Sequence, residues 1–196
     1  MKCVNGMCKR ENRIFQLYLE NAIVPIECDA GHLRALFAYF QYRAPNIDSF
    51  HSPLLDVSIH EDILNKMLCK KFEYHFCAQN IDINDELRRY SLSGDELCSK
   101  CKRFVCKRMN NKSKRDSTRR ESDLECLLRH IRNALAHGHV FVVHGGNYIA
   151  MCFEDISNDK NVTARIICGQ ADLRKWRSIL ETAMDEQKER EQTCPA

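Results

Sequence analysis

The stretch Arg129-His130-Ile131-Arg132-Asn133-Ala134-Leu135-Ala136-His137-Gly138-His139 gathers the residue types that cleave RNA without a metal. An imidazole titrates near neutrality, so His137 can take or give a proton at working pH. The planar guanidinium of Arg132 offers a fork of donors to phosphate oxygens and can hold charge that develops on phosphorus. Asn133 can hydrogen-bond to backbone or to the catalytic ring. The 2′-OH of RNA is a built-in nucleophile, so a base or acid and a charge stabiliser suffice. Read without chemistry, the same residues are a helix end: His137 caps carbonyls, and Arg132 pairs with Glu125 or Asp123.

Spacing decides which groups can meet. Arg132 and His137 are five residues apart, which on a helix is a rotation of about 140°. Asn133 and His137, four apart, stack on one face. The helix that carries them is predicted to begin at Thr118–Ser122, where Ser122-Asp123-Leu124-Glu125 has the form of a capping box. Leu124, Leu127, Leu128, Ile131 and Leu135 form its buried stripe, and Gly138 is a natural stop. His137 therefore falls at the helix end, where its ring can leave the surface and enter a cleft.

The other elements follow from periodicity. Arg13–Asn21, His32–Tyr42, Glu61–Phe76 and Asn84–Leu92 read as helices, and Ala44–Pro53 as a loop. Val140–His144 and Tyr148–Phe153 flank Gly145-Gly146-Asn147, a hairpin signal, with Val162–Cys168 as a third strand. Ala171–Lys188 returns to helix. The expectation is one domain over 1–196: a mainly α, four- to five-helix bundle. A small three-stranded β-element (140–168) precedes the C-terminal helix (171–188).

The net charge of +3 says little, but its distribution says more. Between Lys100 and Arg120 lie Lys102, Arg103, Lys107, Arg108, Lys112, Lys114, Arg115 and Arg119, against the single acid Asp116. Within it, 107–120 reads as a basic, solvated loop that meets a polyanion. Lys112, Lys114, Arg115, Arg119 and Arg120, with Arg129 on the motif helix, are the expected RNA contacts. His130 reads as a packing or hydrogen-bonding residue. No apolar run is long enough to cross a bilayer, and the start lacks the apolar core of a secretory signal, so a cytoplasmic protein without a membrane partner is expected.

Twelve cysteines in such a chain are expected to be reduced. Cys69, Cys77, Cys126, Cys152 and Cys168 sit among apolar neighbours and read as packing residues. Cys98-Ser-Lys-Cys101 with Cys106 resembles part of a zinc site, but zinc needs four ligands. Cys3 with Cys8, or Cys126 with His130, could complete it only by folding back. Free thiols, no metal and no cofactor are the expectation.

In the form Arg132-Asn133-Ala-Leu-Ala-His137-Gly138 the segment resembles the signature of the HEPN superfamily (higher eukaryotes and prokaryotes nucleotide-binding domain). The likeness is to its single-domain, plasmid-encoded nucleases in which a β-hairpin follows the motif. The resemblance implies a metal-independent endoribonuclease, a toxin or phage-defence effector, with Arg132 and His137 catalytic and Asn133 supporting. The superfamily pattern, Arg-x(4–6)-His, also admits His139, so the choice between the two histidines stays open, with Gly138 favouring His137. It further implies RNA as substrate, a homodimer with motif helices facing each other, and an antitoxin or regulatory protein as a further partner. A two-fold axis would place groups on both sides of a phosphate without further residues. Some members are non-catalytic modules that bind RNA, nucleotide or protein, which is the alternative reading.

Overall fold

A computed structural model describes residues 14–25, 27–28, 30–45, 55–69, 71–109, 121–145 and 147–193. In chain order the regular elements are β1 (Ile14–Gln16), β2 (Ala22–Ile23), α1 (Gly31–Ala38), α2 (His60–Leu68), β3 (Glu73–Cys77), α3 (Ile83–Arg89), β4 (Glu96–Cys98), β5 (Arg103–Lys107), α4 (Asp123–Ala136), β6 (Val140–Gly145), β7 (Tyr148–Ile156), β8 (Val162–Gly169) and α5 (Gln170–Thr193). A wider-wound turn, Tyr39–Arg43, extends α1.

The expected helical bundle is not the architecture. Eight strands form two sheets among the described residues, and the six-stranded one runs β2-β6-β7-β8-β5-β3. Its pairs are antiparallel except β3 with β5. The fold is mixed α/β, and the sheet is its centre rather than an insertion.

Both faces of that sheet are covered, which explains the nearly continuous apolar character of its strands. Met151 and Phe153 of β7, Ala164, Ile166 and Cys168 of β8, and Phe104 and Cys106 of β5 join the core that α1, α2, α4 and α5 close. Their neighbours Ala150, Cys152, Ile167 and Val105 face the other way. There they meet Phe15 and Leu17, Ile83 and Leu87 of α3, and Leu97 of the β1–β4 ribbon. Each fully buried aliphatic or aromatic side chain contributes about 1.5–3 kcal/mol, so the contacts of the first core fix α4 against β7.

Three elements depart from expectation for nameable reasons. Arg13–Asn21 is not a helix: Ile14–Gln16 is a strand paired antiparallel with β4. In so short an apolar run the helical and strand periods cannot be told apart, and the partner lies far along the chain. Glu61–Phe76 is helical only to Leu68; Cys69 takes a left-handed conformation (φ 43°, ψ 52°), and Glu73–Cys77 becomes β3. Arg103–Lys107 lies within the basic block yet forms β5, whose central residues Phe104, Val105 and Cys106 are fully buried. The hairpin β6–β7, the strand β8 and helices α4 and α5 stand where the sequence places them. Among the described residues no helix is long and apolar enough to cross a membrane.

Candidate active site

Helix α4 is held at both ends by its own sequence. The Ser122 hydroxyl accepts from the Glu125 N–H at 3.2 Å, and the Glu125 carboxylate accepts from the Ser122 N–H at 2.8 Å, completing the capping box. At the other end Gly138 adopts φ +71°, a conformation that costs glycine little. The His139 N–H reaches the Ala134 carbonyl at 2.9 Å, and the Gly138 N–H the Leu135 carbonyl at 3.3 Å. This is the two-bond closure that ends helices on a left-handed residue. It fixes His137 as the last residue with helical backbone, exposed and beyond the packed part of the helix.

From Leu124 to Ile131 every residue of α4 is buried. Beyond that, Arg132 and Asn133 are half-buried and Ala136 and His137 exposed, while Ala134 and Leu135 return to the core. The accessible strip of the helix therefore consists of the motif residues and one alanine. Around the axis they fall in the order Arg132, Ala136, Asn133, His137, spread over about 140°. The small Ala136 in the middle leaves room for another backbone to approach.

The two sides of the strip have different surroundings. Arg132 turns toward the segment after α1, where its Nη2 donates to the Ala44 carbonyl at 3.0 Å. Asn133 and His137 line a cleft of about 800 Å³ on the opposite side. Its walls include Lys107 and Arg108 at and after the end of β5, Gln79, Asp82 and Asn84 before and at the start of α3, and Ile156, Asp159 and Asn161 at and after the end of β7. One chain thus brings Asn133 and His137 together and leaves Arg132 outside their cleft. The His137 and His139 rings are 6.3 Å apart. His139 does not line the cleft, and its Nδ1 is buried without a hydrogen-bond partner among the described residues.

Below the cleft lies a buried polar network that sequence reasoning missed. Asp155, at the end of β7, accepts from Asn133 Nδ2 at 3.0 Å and sits 2.6 Å from His130 Nδ1. The amide of Asn133 is thereby held in one plane. Arg129, expected on RNA, is instead buried and paired with Glu121 at 2.5 Å, with its Nη2 donating to the Lys107 carbonyl at 3.0 Å. The other ring nitrogen of His130 lies 2.8 Å from that carbonyl and 3.3 Å from Arg129 Nη2, partners that favour opposite protonation. Burial decides for the neutral ring: it pulls the His130 pKa down, helped by Arg129 and opposed by Asp155. Burial alone would raise the Asp155 carboxyl, but the hydrogen bonds from His130 and Asn133 and the charge of Arg129 outweigh it and hold the pKa below the usual range. Glu121 is likewise held low, because Arg129 overcomes its desolvation. The one sequence signal for Asp155 was an acidic pair, Glu154-Asp155, closing an otherwise apolar strand.

These shifts share one sign. Each group binds protons more weakly folded than unfolded, so acid favours the unfolded chain. The His130 contribution is complete above about pH 6.5 and is lost as pH falls from there through its lower folded value. The two carboxylates add a second loss below about pH 4. Urea titrations should therefore show a stability plateau near neutrality and a fall in two stages, the upper one smaller in His130→Asn. Stability that rises between pH 7 and 5.5 would contradict this network.

The basic loop is only partly in view: Lys112, Lys114, Arg115, Arg119 and Arg120 lie outside the described residues. Its two ends are not. The Met109 N–H donates to Glu121 Oε2 at 2.9 Å, and Met109 lines the cleft that Asn133 and His137 line. The loop therefore leaves the fold at Met109 on the cleft wall and rejoins it at Glu121, which is bonded to Met109. Cleft walls carry Lys107, Arg108 and Arg129 against Asp82, Asp155 and Asp159, a near balance. Arg108 is itself paired with Asp123 at 2.5 Å.

The helix with its Arg-Asn…His strip is the segment that resembles HEPN-type domains, a class of ribonuclease and nucleotide-binding modules. Residues 60–190, from α2 into α5, match the family described as HEPN pEK499 p136, and the chain belongs to that family. Comparison with curated proteins and with solved structures gives no match.

Proposed function

We propose that the protein is a metal-independent endoribonuclease whose chemistry is carried by the accessible strip of α4. The observation that carries this is the coincidence of the motif with that strip: a helix buried along its length opens to solvent at Arg132, Asn133, Ala136 and His137. His137, at the mouth of the cleft, takes the proton of the 2′-OH, whose oxygen attacks the adjacent phosphorus. The P–O5′ bond breaks, the 5′ oxygen receives a proton, and a 2′,3′-cyclic phosphate remains. Asn133, fixed by Asp155, orients the attacking hydroxyl or the imidazole.

Arg132 supplies the guanidinium that meets charge on the phosphate, but it does so from the far side of the strip. Two chains related by a two-fold axis, with α4 strips apposed across Ala136, place Arg132 of one chain against His137 of the other. Two arginine-bearing helices repel unless an anion lies between them, which suits a phosphate and makes RNA part of the assembly. Toxin or phage-defence activity, with an antitoxin or regulatory partner, is the biological setting that the family resemblance implies. The direct test is cleavage of labelled RNA with EDTA present.

The loop 110–120 is assigned to substrate binding, because it departs from Met109 on the cleft wall and its charges are mostly positive. Changing Lys112, Lys114 and Arg115 together to Ser should weaken RNA binding and reduce its dependence on salt by up to about three charges. Turnover at saturating RNA should change far less, since charges remote from the reacting phosphate bind ground and transition states alike. Unchanged affinity in filter binding across a salt series would return the loop to a merely solvated surface.

A further inference from the structure

The cleft beside His137 has more room than a proton transfer needs. Its volume of about 800 Å³ lies within the range of about 300–1,000 Å³ common to small-molecule sites. Its two arginines are engaged elsewhere, Arg108 with Asp123 and Arg129 with Glu121. Asp82 and Asp159 stand on the same walls, so the charges nearly balance, which does not favour a phosphate inside.

What remains is carboxamide and aliphatic surface. Gln79, Asn84, Asn133, Asn158 and Asn161 all bring carboxamides to the cleft. That of Asn84 donates to Asp82 at 3.1 Å and that of Asn133 to Asp155, whereas those of Gln79, Asn158 and Asn161 make no hydrogen bond among the described residues. Met109, Ile156 and Val162 add aliphatic surface to the same walls. A flat heteroaromatic ring matches this mixture, with apolar faces and hydrogen-bonding edges. A base splayed from single-stranded RNA presents such a ring.

Asn158 and Asn161 are held by a closed turn between β7 and β8. The Ser157 N–H donates to the Asn161 carbonyl at 2.8 Å, and the Lys160 N–H to the Ser157 carbonyl at 2.9 Å. Just beyond the turn, Thr163 Oγ1 donates to the carbonyl of Asp155, the residue that also holds Asn133. Side chains on a fixed backbone lose less freedom on binding, which suits them to discriminate. Carboxamides pair bidentately with adenine at N6 and N7, whereas guanine favours Arg or Lys and cytosine an acid.

We propose that this cleft is a base subsite that takes adenine and that Asn158 and Asn161 read its edge. His137 lines the same cleft, so a base seated there brings its own phosphate to the α4 strip. The subsite deepens the ribonuclease reading and rests on it for the place of that phosphate.

The test uses fluorescently labelled 2′-fluoro pentanucleotides, which lack the attacking hydroxyl, with A, G, C or U at the centre of a uridine frame. Anisotropy titrations of the full chain should show the adenine oligomer bound about five- to hundredfold more tightly than the others. In the double variant Asn158→Ala/Asn161→Ala that preference should fall to within about twofold, with affinity for the all-uridine oligomer and the thermal midpoint unchanged. Equal binding of the four by the wild type, preference for another base, or an adenine preference that survives in the double variant would overturn the proposal. All-ribose RNA assayed in parallel separates the two readings. Adenine preference without cleavage keeps the subsite and removes the nuclease, and cleavage without base preference does the reverse.

Discussion

Replacing His137 by alanine is expected to lower RNA cleavage by about 10²–10⁴-fold while changing stability by less than about 0.5 kcal/mol. The asymmetry follows from position. His137 is exposed, ends the helix, and makes no hydrogen bond through its ring among the described residues, so its removal costs the fold little. Its imidazole is nevertheless the motif side chain that can act as general acid or base and also lines the cleft. His139→Ala serves as the counterpart, since the sequence admits either histidine. Its backbone closes the helix and receives the Glu154 N–H at 3.0 Å, so the substitution should leave cleavage within a few-fold of wild type. Paired measurements of initial cleavage rate and thermal midpoint decide the matter. Loss of activity in His139→Ala with His137→Ala active would move the chemistry to the other ring.

Arg132→Ala is the second large effect: about 10²–10³-fold in cleavage, the usual consequence of removing one donor aimed at transition-state charge. Its fold cost includes the hydrogen bond to the Ala44 carbonyl, about 1 kcal/mol. What makes this substitution informative is geometry. Arg132 and His137 sit on opposite sides of one strip, and only His137 lines the cleft of its own chain. If Arg132 acts across a two-fold axis, equal amounts of Arg132→Ala and His137→Ala chains, mixed and allowed to exchange, recover activity. Each mixed dimer then holds one composite site with both groups intact. Mixing that recovers nothing, or a fully active monomer in light scattering, would remove the shared site.

What the sequence made legible here was local. Helix α4 declared itself through a capping box, an apolar stripe and a terminal glycine, all within seventeen residues of chain. The β6–β7 hairpin and β8 were equally readable, because turn residues sit between strands that pair with their neighbours. The architecture was not, because it depends on pairings between distant segments: β1 with β4, β2 with β6, β3 with β5. Such pairing leaves no trace in a local window, and short apolar runs such as Ile14–Leu17 satisfy either period.

The same division holds for the site. Arg132, Asn133 and His137 are singled out by their side-chain chemistry and by the family resemblance, and the relation of Asn133 to His137 follows from helix geometry. That Asp155 would fix Asn133, or that Arg129 would be buried and paired with Glu121, required the packing of β7 and β5 against α4. A charged residue inside a motif helix looks the same in sequence whether it is solvated or paired. Burial decides, and burial is a property of the tertiary fold.

The central claim is that this strip cleaves RNA by internal attack of the 2′-OH. Its most direct test is a labelled RNA with one 2′-deoxynucleotide at a mapped cleavage position, incubated with the protein in EDTA. The account predicts cleavage of the all-ribose RNA to a 2′,3′-cyclic phosphate and a 5′-OH, none at the deoxy position, and none with His137→Ala. Cleavage at the deoxy position, or activity abolished by EDTA and restored by magnesium, would contradict it.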